Sequence, residues 1–177
     1  MDSLIEYKLD NESREICMCG YDKYEAEYEE RFDAWTLRGK LFVIVANTGI
    51  FNEYYEANGW THDSEPIVPW MLGFYDSLLL IEHNKSEFGY ATRIDSIVTQ
   101  RAPDDNFVIE YHSLGDMLHI KVGKPGNFNY IKTDQHTFIE RFYRTIQSTT
   151  VRLVAECKEI GKLKEVQRLL VLLDKSN

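Results

Sequence analysis

Hydrophobic and polar residues alternate with a period of two at the start of the chain, which is the pattern of strands that bury one face. Leu4–Leu9 and Arg14–Cys19 are therefore predicted as two short strands. The residues between them, Asp-Asn-Glu-Ser at 10–13, have the composition of a turn. The first twenty residues thus predict a hairpin.

A second hairpin is predicted from Asp33–Leu37 and Leu41–Ala46. Its loop would be Arg38-Gly39, because glycine can supply the positive φ that a two-residue loop requires. Residues 21–31, between the two hairpins, alternate with period two, but their aromatic positions also fit helical spacing. A strand that runs into the second hairpin is the favoured interpretation, and a helix is the open alternative.

Three further strands are predicted at 106–113, 117–123 and 128–132, after a loop-rich stretch with a short helix at 92–99. If Leu114-Gly115 forms the first turn, one face of the sheet is apolar and the other is largely polar. The predicted apolar face comprises Phe107, Ile109, Tyr111, Leu118, Ile120 and Val122. The predicted polar face comprises Val108, Glu110, His112, Met117, His119 and Lys121.

Two long stretches place apolar residues at helical spacing, and residues 51–57 predict a further short helix. The first long helix opens at residues 64–66 with proline in its first turn, and it is predicted to be buried nearly all round. The second starts at Asp134 and runs for about 25 residues to Gly161, where it is capped or kinked. Leu163–Leu173 forms the last predicted helix. The stripe of the second long helix comprises Phe138, Phe142, Ile146, Thr149, Leu153, Cys157 and Ile160.

These elements predict an α+β fold: an antiparallel sheet of about seven strands in hairpins, with helices packed on one face and a long C-terminal helix pair. The chain has 177 residues, enough for one well-buried core, so residues 1–177 are predicted to form a single domain. The sequence shows no leader peptide and no apolar run of about 18 residues, which predicts a cytoplasmic protein without a membrane segment.

The net charge of −9 is unevenly distributed. Residues 1–65 hold 15 Asp and Glu against 6 Lys and Arg, whereas residues 66–177 hold 14 of each sign. An acidic block repels nucleic acid and anionic membranes, and it speeds encounter with a basic partner. The simpler alternative is that the negative surface only keeps the protein soluble.

Sequence motifs for nucleotide or metal chemistry are missing. Neither glycine-rich phosphate loop is present, nor is the G-x-S-x-G nucleophile elbow or the H-E-x-x-H zinc motif. Cys17 and Cys19 lack the spacing and the second pair that zinc sites use, and with Cys157 they are predicted to be reduced thiols. The acids of 22–33 lack the central glycine of a calcium loop. Neither a metal nor a cofactor is therefore predicted.

A small polar cluster is predicted on the last three strands. The predicted turn would place Glu110 opposite His119, with His112 on the same side. A carboxylate beside an imidazole can hold one tautomer and create a general base. Charged cross-strand pairs are equally at home on a solvated sheet face. Catalysis at this cluster is kept as an alternative, while the favoured prediction is a protein without enzymatic activity.

Acidic and aromatic residues are interleaved in two segments of the first third. Tyrosine anchors many protein interfaces, and carboxylates beside it can bind arginine with two hydrogen bonds. The alternative is that these aromatic residues face the core while the acids face water. The residues predicted to contact a partner are Asp22, Tyr24, Glu25, Glu27, Tyr28, Glu29, Glu30, Asp33, Glu53, Tyr54, Tyr55 and Glu56.

This small acidic α+β profile, with its segments at 24–30 and 51–56, resembles bacterial immunity proteins of the contact-dependent growth-inhibition type. The resemblance implies a cytoplasmic protein without enzymatic activity, and we expect the protein to be a monomer or weak dimer. Such a protein binds a cognate basic toxin, in many cases a nuclease domain, and blocks its active site or the approach of its substrate. Neither nucleic acid nor membrane is an expected partner. The alternative is a small-ligand-binding or regulatory domain with an apolar cavity between sheet and helices.

Overall fold

The structure is a computed structural model that describes residues 3–20, 32–50, 65–101 and 106–171. Within these ranges the fold is α+β, as predicted, with ten strands arranged in two antiparallel sheets. The two longest helices, at 67–82 and 135–156, each pack against strands of both sheets. Buried apolar residues from Ile5 to Leu169 form one continuous core cluster.

The smaller sheet is built around one long strand. Strand β1 (Leu4–Leu9), predicted with the same bounds, runs antiparallel to β2 (Arg38–Val45). Two short strands, β3 (Thr48–Gly49) and β4 (Glu65–Pro66), pair with the two ends of β2. The predicted second hairpin is therefore wrong, because Arg38 and Gly39 lie inside β2. A Cβ atom at Gly39 would lie 2.1 Å from the carbonyl oxygen of Lys8, so this glycine permits a close approach of two strands and not a turn.

The predicted strand Arg14–Cys19 is a helix. Helix α1 (Asn11–Cys19) begins after Asp10, whose side chain accepts a hydrogen bond from the Ser13 backbone N–H at 2.8 Å. An aspartate at this position satisfies one of the free N–H groups of the first turn. The acidic residues interpreted as a turn are thus the cap and first turn of α1, and its short buried stripe consists of Ser13 and Ile16.

The larger sheet is a six-stranded antiparallel meander. Its strands are β5 (Glu87–Phe88), β6 (Ala91–Ile94), β7 (Ile97–Arg101), β8 (Val108–Leu114), β9 (Met117–Lys124) and β10 (Asn127–Asp134). The last three confirm the predicted strands of the C-terminal half. The short helix predicted at 92–99 is wrong, because those residues form most of the hairpin of β6 and β7.

The turn between β8 and β9 is Gly115-Asp116, one residue later than predicted. Leu114 pairs with Met117, and Gly115 has a φ of +62°, which glycine adopts without strain. Both predicted faces are correct, because the pairing shifts by two residues and the side-chain period is also two. The predicted partner of Glu110 is wrong: Glu110 lies opposite Lys121.

Helix α2 (Ile67–Glu82) is buried nearly all round, as predicted, with 14 of its 16 residues in the core. Helix α3 (Gln135–Glu156) begins after the N-cap Asp134, and the predicted stripe is buried, although its last two residues, Cys157 and Ile160, lie beyond the helix. The helix ends before Cys157, earlier than predicted. A 3₁₀ helix (Lys158–Lys162) and helix α4 (Lys164–Leu170) complete the described C-terminal part.

The cysteines also differ from the prediction. Cys17 and Cys157 form a disulfide that joins α1 to the end of α3, with Cα atoms 4.7 Å apart and a sequence separation of 140. Cys19 is exposed and lies outside the disulfide. Because residues 14–19 form a helix and not a strand, the two N-terminal cysteines point in different directions.

Two threonines of α3 cover the open edge of β1. Thr145 Oγ1 accepts a hydrogen bond from the Ile5 N–H at 3.0 Å, and Thr149 Oγ1 donates one to the Ile5 carbonyl at 2.7 Å. Both backbone groups of Ile5 point away from β2, so the helix takes the place of a neighbouring strand. No helix in the described part of the chain is long and apolar enough to cross a lipid bilayer.

Candidate functional site

The residues predicted to contact a toxin fall almost entirely outside the described ranges. Asp33 is the one that the structure describes. It is exposed, and its carboxylate accepts hydrogen bonds from the Trp35 N–H at 2.8 Å and the Thr36 hydroxyl at 3.4 Å. Asp33 therefore stabilises a local turn beside a half-exposed tryptophan. The predicted contacts outside the described residues are Asp22, Tyr24, Glu25, Glu27, Tyr28, Glu29, Glu30, Glu53, Tyr54, Tyr55 and Glu56.

The outer face of the six-stranded sheet is the strongest candidate site within the described ranges. The helices lie on the other face, where a Cβ atom at Gly73 of α2 would meet the Gln100 side chain and Phe138 of α3 packs 6.1 Å from Tyr111. Side chains of β7 to β10 alternate between the two faces. On the outer face they remain partly or fully exposed.

Strand pairing places chemically active side chains in two adjacent rows of this outer face. In the first row Ile97 lies opposite His112, His112 opposite His119, and His119 opposite Lys132. Side chains directly opposite each other in such a sheet have Cβ atoms about 5 Å apart. Two imidazoles and one ammonium group therefore stand side by side.

The second row runs parallel to the first. Glu110 lies opposite Lys121, and Lys121 lies opposite Tyr130. Lys121 Nζ is 3.1 Å from Glu110 Oε2 and 4.4 Å from the centre of the Phe128 ring. The ion pair neutralises both partners and fixes the lysine in place, although a half-exposed pair of this kind contributes little stability.

A serine from the preceding turn completes the first row. Ser96 Oγ is 2.8 Å from His112 Nε2. Ser96 lies in the turn between β6 and β7, and the pairing of β7 with β8 brings it to the histidine. A hydroxyl and two imidazoles thus face solvent as hydrogen-bonding groups.

The side chains of the two rows surround a depression of about 390 Å³. Ile97 and Tyr130 give it apolar walls, and Tyr130 is 73% exposed. The small-ligand alternative placed a cavity between sheet and helices, whereas this depression lies on the opposite, open face of the sheet. Its volume falls at the lower end of the range that small-molecule sites occupy.

The arrangement offers donors of hydrogen bonds and positive charge more than it offers acid–base machinery. The carboxylate of Glu110, predicted to orient His119, is held by Lys121 instead. Within the described ranges, no group of three or more His, Cys, Asp or Glu side chains is placed to hold a metal ion. The chemistry that suits this face is recognition of an anion.

The sequence predicted Glu110, His112 and His119 on one face but missed Ser96, Tyr130 and Lys132 as neighbours. Lys132 and Tyr130 were within a predicted strand. Alternation along that strand could have placed both on the outer face once its pairing with β9 was known. Ser96 carries no local signal, because its position depends on a hairpin that was predicted as a helix.

A second polar cluster is buried and has a structural role. Asp76 of α2 is fully buried, and it accepts hydrogen bonds from Arg168 Nη2 at 2.7 Å and from the Tyr90 N–H at 2.8 Å. Burial raises the pKa of Asp76, while the Tyr90 N–H and the Arg168 guanidinium act in the opposite direction. The cluster joins α4 and the β5–β6 turn to the central helix.

Comparisons with protein families, with characterised proteins and with solved structures reveal no significant match to this chain. What the protein binds must therefore be inferred from its own chemistry.

Proposed function

We propose that the protein is an immunity protein that binds a basic toxin domain, such as a nuclease, and blocks its active site or the approach of its substrate. The observation that carries this proposal is the distribution of charge. The described residues hold 17 Asp and Glu and 17 Lys and Arg, so they are electrically neutral. The whole net charge of −9 belongs to the remaining segments.

Two of these segments contain eleven of the predicted contacts. Described residues that flank the two segments in the chain are buried. Segment 21–31 is followed by Phe32, and segment 51–64 lies between Ile50 and Glu65. Phe32, Ile50 and Glu65 are all buried. Glu65 pairs with β2, and the Ile50 N–H bonds to the Val43 carbonyl of the same strand. Both acidic segments are thus connected to the small sheet.

The toxin-binding mechanism would separate into two physical effects. Concentrated negative charge attracts a cationic surface before contact, and this raises the association rate at low salt. Tyrosines buried on binding, together with carboxylates that pair with arginine, slow dissociation. A nuclease groove that binds a phosphate backbone has the complementary charge. Half-exposed Trp35 and exposed Asp33 follow the first segment closely in the chain and are accessible to a partner.

We also propose that the protein acts in the cytoplasm, because it would meet the toxin where the toxin reaches its substrate. It would act there as a monomer or weak dimer. The partner to test is the C-terminal domain of the protein encoded by a large open reading frame directly upstream of the gene for this chain. Immobilised toxin domain should capture the protein from solution.

The test of the charge mechanism is a triple reversal, Glu25→Lys, Glu27→Lys and Glu29→Lys. We expect the association rate with the toxin domain to fall about tenfold or more at low ionic strength. We also expect its dependence on salt concentration to become flatter. Stopped-flow fluorescence over a range of salt concentrations measures both quantities.

A matched control reverses three exposed glutamates of the neutral part, Glu15→Lys, Glu87→Lys and Glu165→Lys. It changes the net charge by the same amount but leaves the acidic segments intact. A clearly smaller loss of association rate is expected. Equal rates for the wild type and the first triple variant at low salt would exclude these glutamates from the interface.

A further inference from the structure

We propose that the outer face of the six-stranded sheet is a binding site for a small phosphorylated ligand that carries a flat apolar group, as a nucleoside monophosphate does. The site uses residues of the neutral part of the chain. It is therefore independent of the acidic segments and of the proposed toxin binding.

The anion would be recognised by the first row. His112, His119 and Lys132 stand on consecutive strands and point to the same side. Lys132 forms no ion pair within the described residues, so its charge is available to a ligand. Lysine is a common phosphate ligand, and an imidazole can donate a hydrogen bond to a phosphate oxygen.

Ser96 adds a fourth polar group. Its hydroxyl lies 2.8 Å from His112 Nε2 and can orient the imidazole ring or donate to the ligand itself. Since the tautomer of His112 and the hydroxyl rotor both adjust, the pair can present donors to an anion. A metal cation fits less well, because Lys132 places an ammonium group, which forms no ion pair in the described part of the chain, directly opposite His119.

The charges of the second row favour a compact anion over an extended one. Glu110 compensates Lys121 at 3.1 Å, so Lys132 carries the uncompensated positive charge of the depression. A polyanion that crossed the face would approach the Glu110 carboxylate and lose attraction. A single phosphate at Lys132 avoids it.

The apolar part of the ligand would lie against Tyr130, on the same strand as Lys132, while Ile97 forms the far wall of the depression three strands away. Tyr130 is 73% exposed and Ile97 38% exposed, so both have apolar surface to bury. A flat ring can stack on a tyrosine. The depression of about 390 Å³ is large enough for a ligand at the lower end of the usual range.

The test uses the full chain and adenosine monophosphate as the probe. Calorimetry should give a saturable isotherm, and amide NMR shifts should be largest in β7 to β10. Adenosine without phosphate and inorganic phosphate without a ring should each bind at least tenfold more weakly. Absence of saturable adenosine monophosphate binding at millimolar concentration would overturn the proposal. Tighter binding of an oligouridylate than of the mononucleotide would replace it with nucleic-acid recognition.

Variants on the exposed face locate the site. His119→Gln combined with Lys132→Gln should weaken adenosine monophosphate binding at least tenfold. Tyr130→Ala should weaken it while leaving inorganic phosphate binding unchanged. The matched control is Lys158→Gln, which removes an exposed lysine from the 3₁₀ helix and should bind as the wild type does. Wild-type affinity in the His119 and Lys132 double variant, with its thermal unfolding unchanged, would place the ligand elsewhere and refute the proposal.

Discussion

Arg168 of the last described helix forms an ion pair with Asp76 in the middle of α2, with Nη2 2.7 Å from Oδ1. The aspartate is inaccessible to solvent, whereas the arginine side chain is 35% exposed. The other carboxylate oxygen accepts the Tyr90 N–H, and Gly89 packs so closely that a Cβ atom there would lie 2.2 Å from Asp76 Oδ2. One buried charge thus organises contacts among three parts of the fold.

Asp76→Asn should destabilise the protein by roughly 2–3 kcal/mol, because it leaves the partly buried Arg168 without its counter-charge. This loss of stability lies at or below the lower end of the range for removing one partner of a buried ion pair, since water can still reach part of the arginine. Urea unfolding followed by circular dichroism measures the change. Glu87→Gln removes an exposed carboxylate and should alter the free energy of unfolding by less than about 0.5 kcal/mol. Equal stabilities for the two variants would show that the ion pair adds nothing.

Alkaline pH should weaken the fold through three tyrosines. Burial raises the pKa of Tyr7, Tyr111 and Tyr143 well above the ordinary value near 10, and hydrogen bonds to Glu156 and Glu82 act in the same direction for Tyr7 and Tyr143. The unfolded chain therefore loses these phenolic protons at lower pH than the folded chain. Stability that is present below pH 10 should fall as pH rises further, by at most about 1.4 kcal/mol per pH unit for each group.

Urea midpoints between about pH 9 and about pH 11 measure this decline, and tyrosinate absorbance reports the ionisation directly. Tyr143→Phe removes one of the three groups, so its midpoint should depend less steeply on pH. An identical pH dependence for the variant and the wild type would exclude Tyr143 from the linkage.

The disulfide between Cys17 and Cys157 should stabilise the oxidised protein by roughly 2–4 kcal/mol, because it closes a long loop and restricts the unfolded chain. A reducing agent should lower the melting temperature of the wild type but not that of the Cys17→Ser/Cys157→Ser variant. Cys19→Ser should melt like the wild type, since Cys19 is exposed and lies outside the disulfide. A melting temperature that is insensitive to reduction would contradict the stabilising role.

The same disulfide tests the proposed cytoplasmic location. Thiols in the cytoplasm are kept largely reduced. When cells are quenched in acid and their proteins are alkylated under denaturing conditions, all three cysteines should therefore be modified, while the purified oxidised protein treated in the same way should react at Cys19 alone. Modification of Cys19 alone in cells would place the protein in an oxidising compartment and would argue against the proposal.

The elements that sequence pattern predicted well are those with long, unambiguous periods. Helix α2 and the stripe of α3 each supply several apolar positions, and strands β8 to β10 alternate over many residues. Residues 14–19 contain one deeply buried side chain, Ile16, and support either period. Whether these residues form a helix or a strand is decided by the Asp10 cap and by the contact of Cys17 with Cys157. The local sequence pattern does not reveal that contact.

The candidate site was predictable only in part, because it is assembled by pairing between strands. The alternation along β8 and β9 placed Glu110, His112 and His119 on one face. Which residue meets which depends on the turn, and a shift of the turn by one residue moved Glu110 from His119 to Lys121. Ser96 reaches His112 only through the long-range pairing of β7 and β8.

The edge of β1 offers the sharpest test of how the helical layer supports the small sheet. Thr149→Val keeps the size of the side chain but removes the donor to the Ile5 carbonyl, which is then buried without that hydrogen bond. We expect a loss of about 2 kcal/mol in the free energy of unfolding.

Thr150→Val is the matched control. Its hydroxyl bonds to the Ile146 carbonyl of its own helix, and this oxygen keeps its helical hydrogen bond, so the change should be within about 0.5 kcal/mol. Faster amide exchange at Ile5 in Thr145→Val, where the acceptor of its N–H is lost, would locate the effect at the strand edge. Unchanged stability and exchange in both variants would mean that packing alone holds α3 against β1.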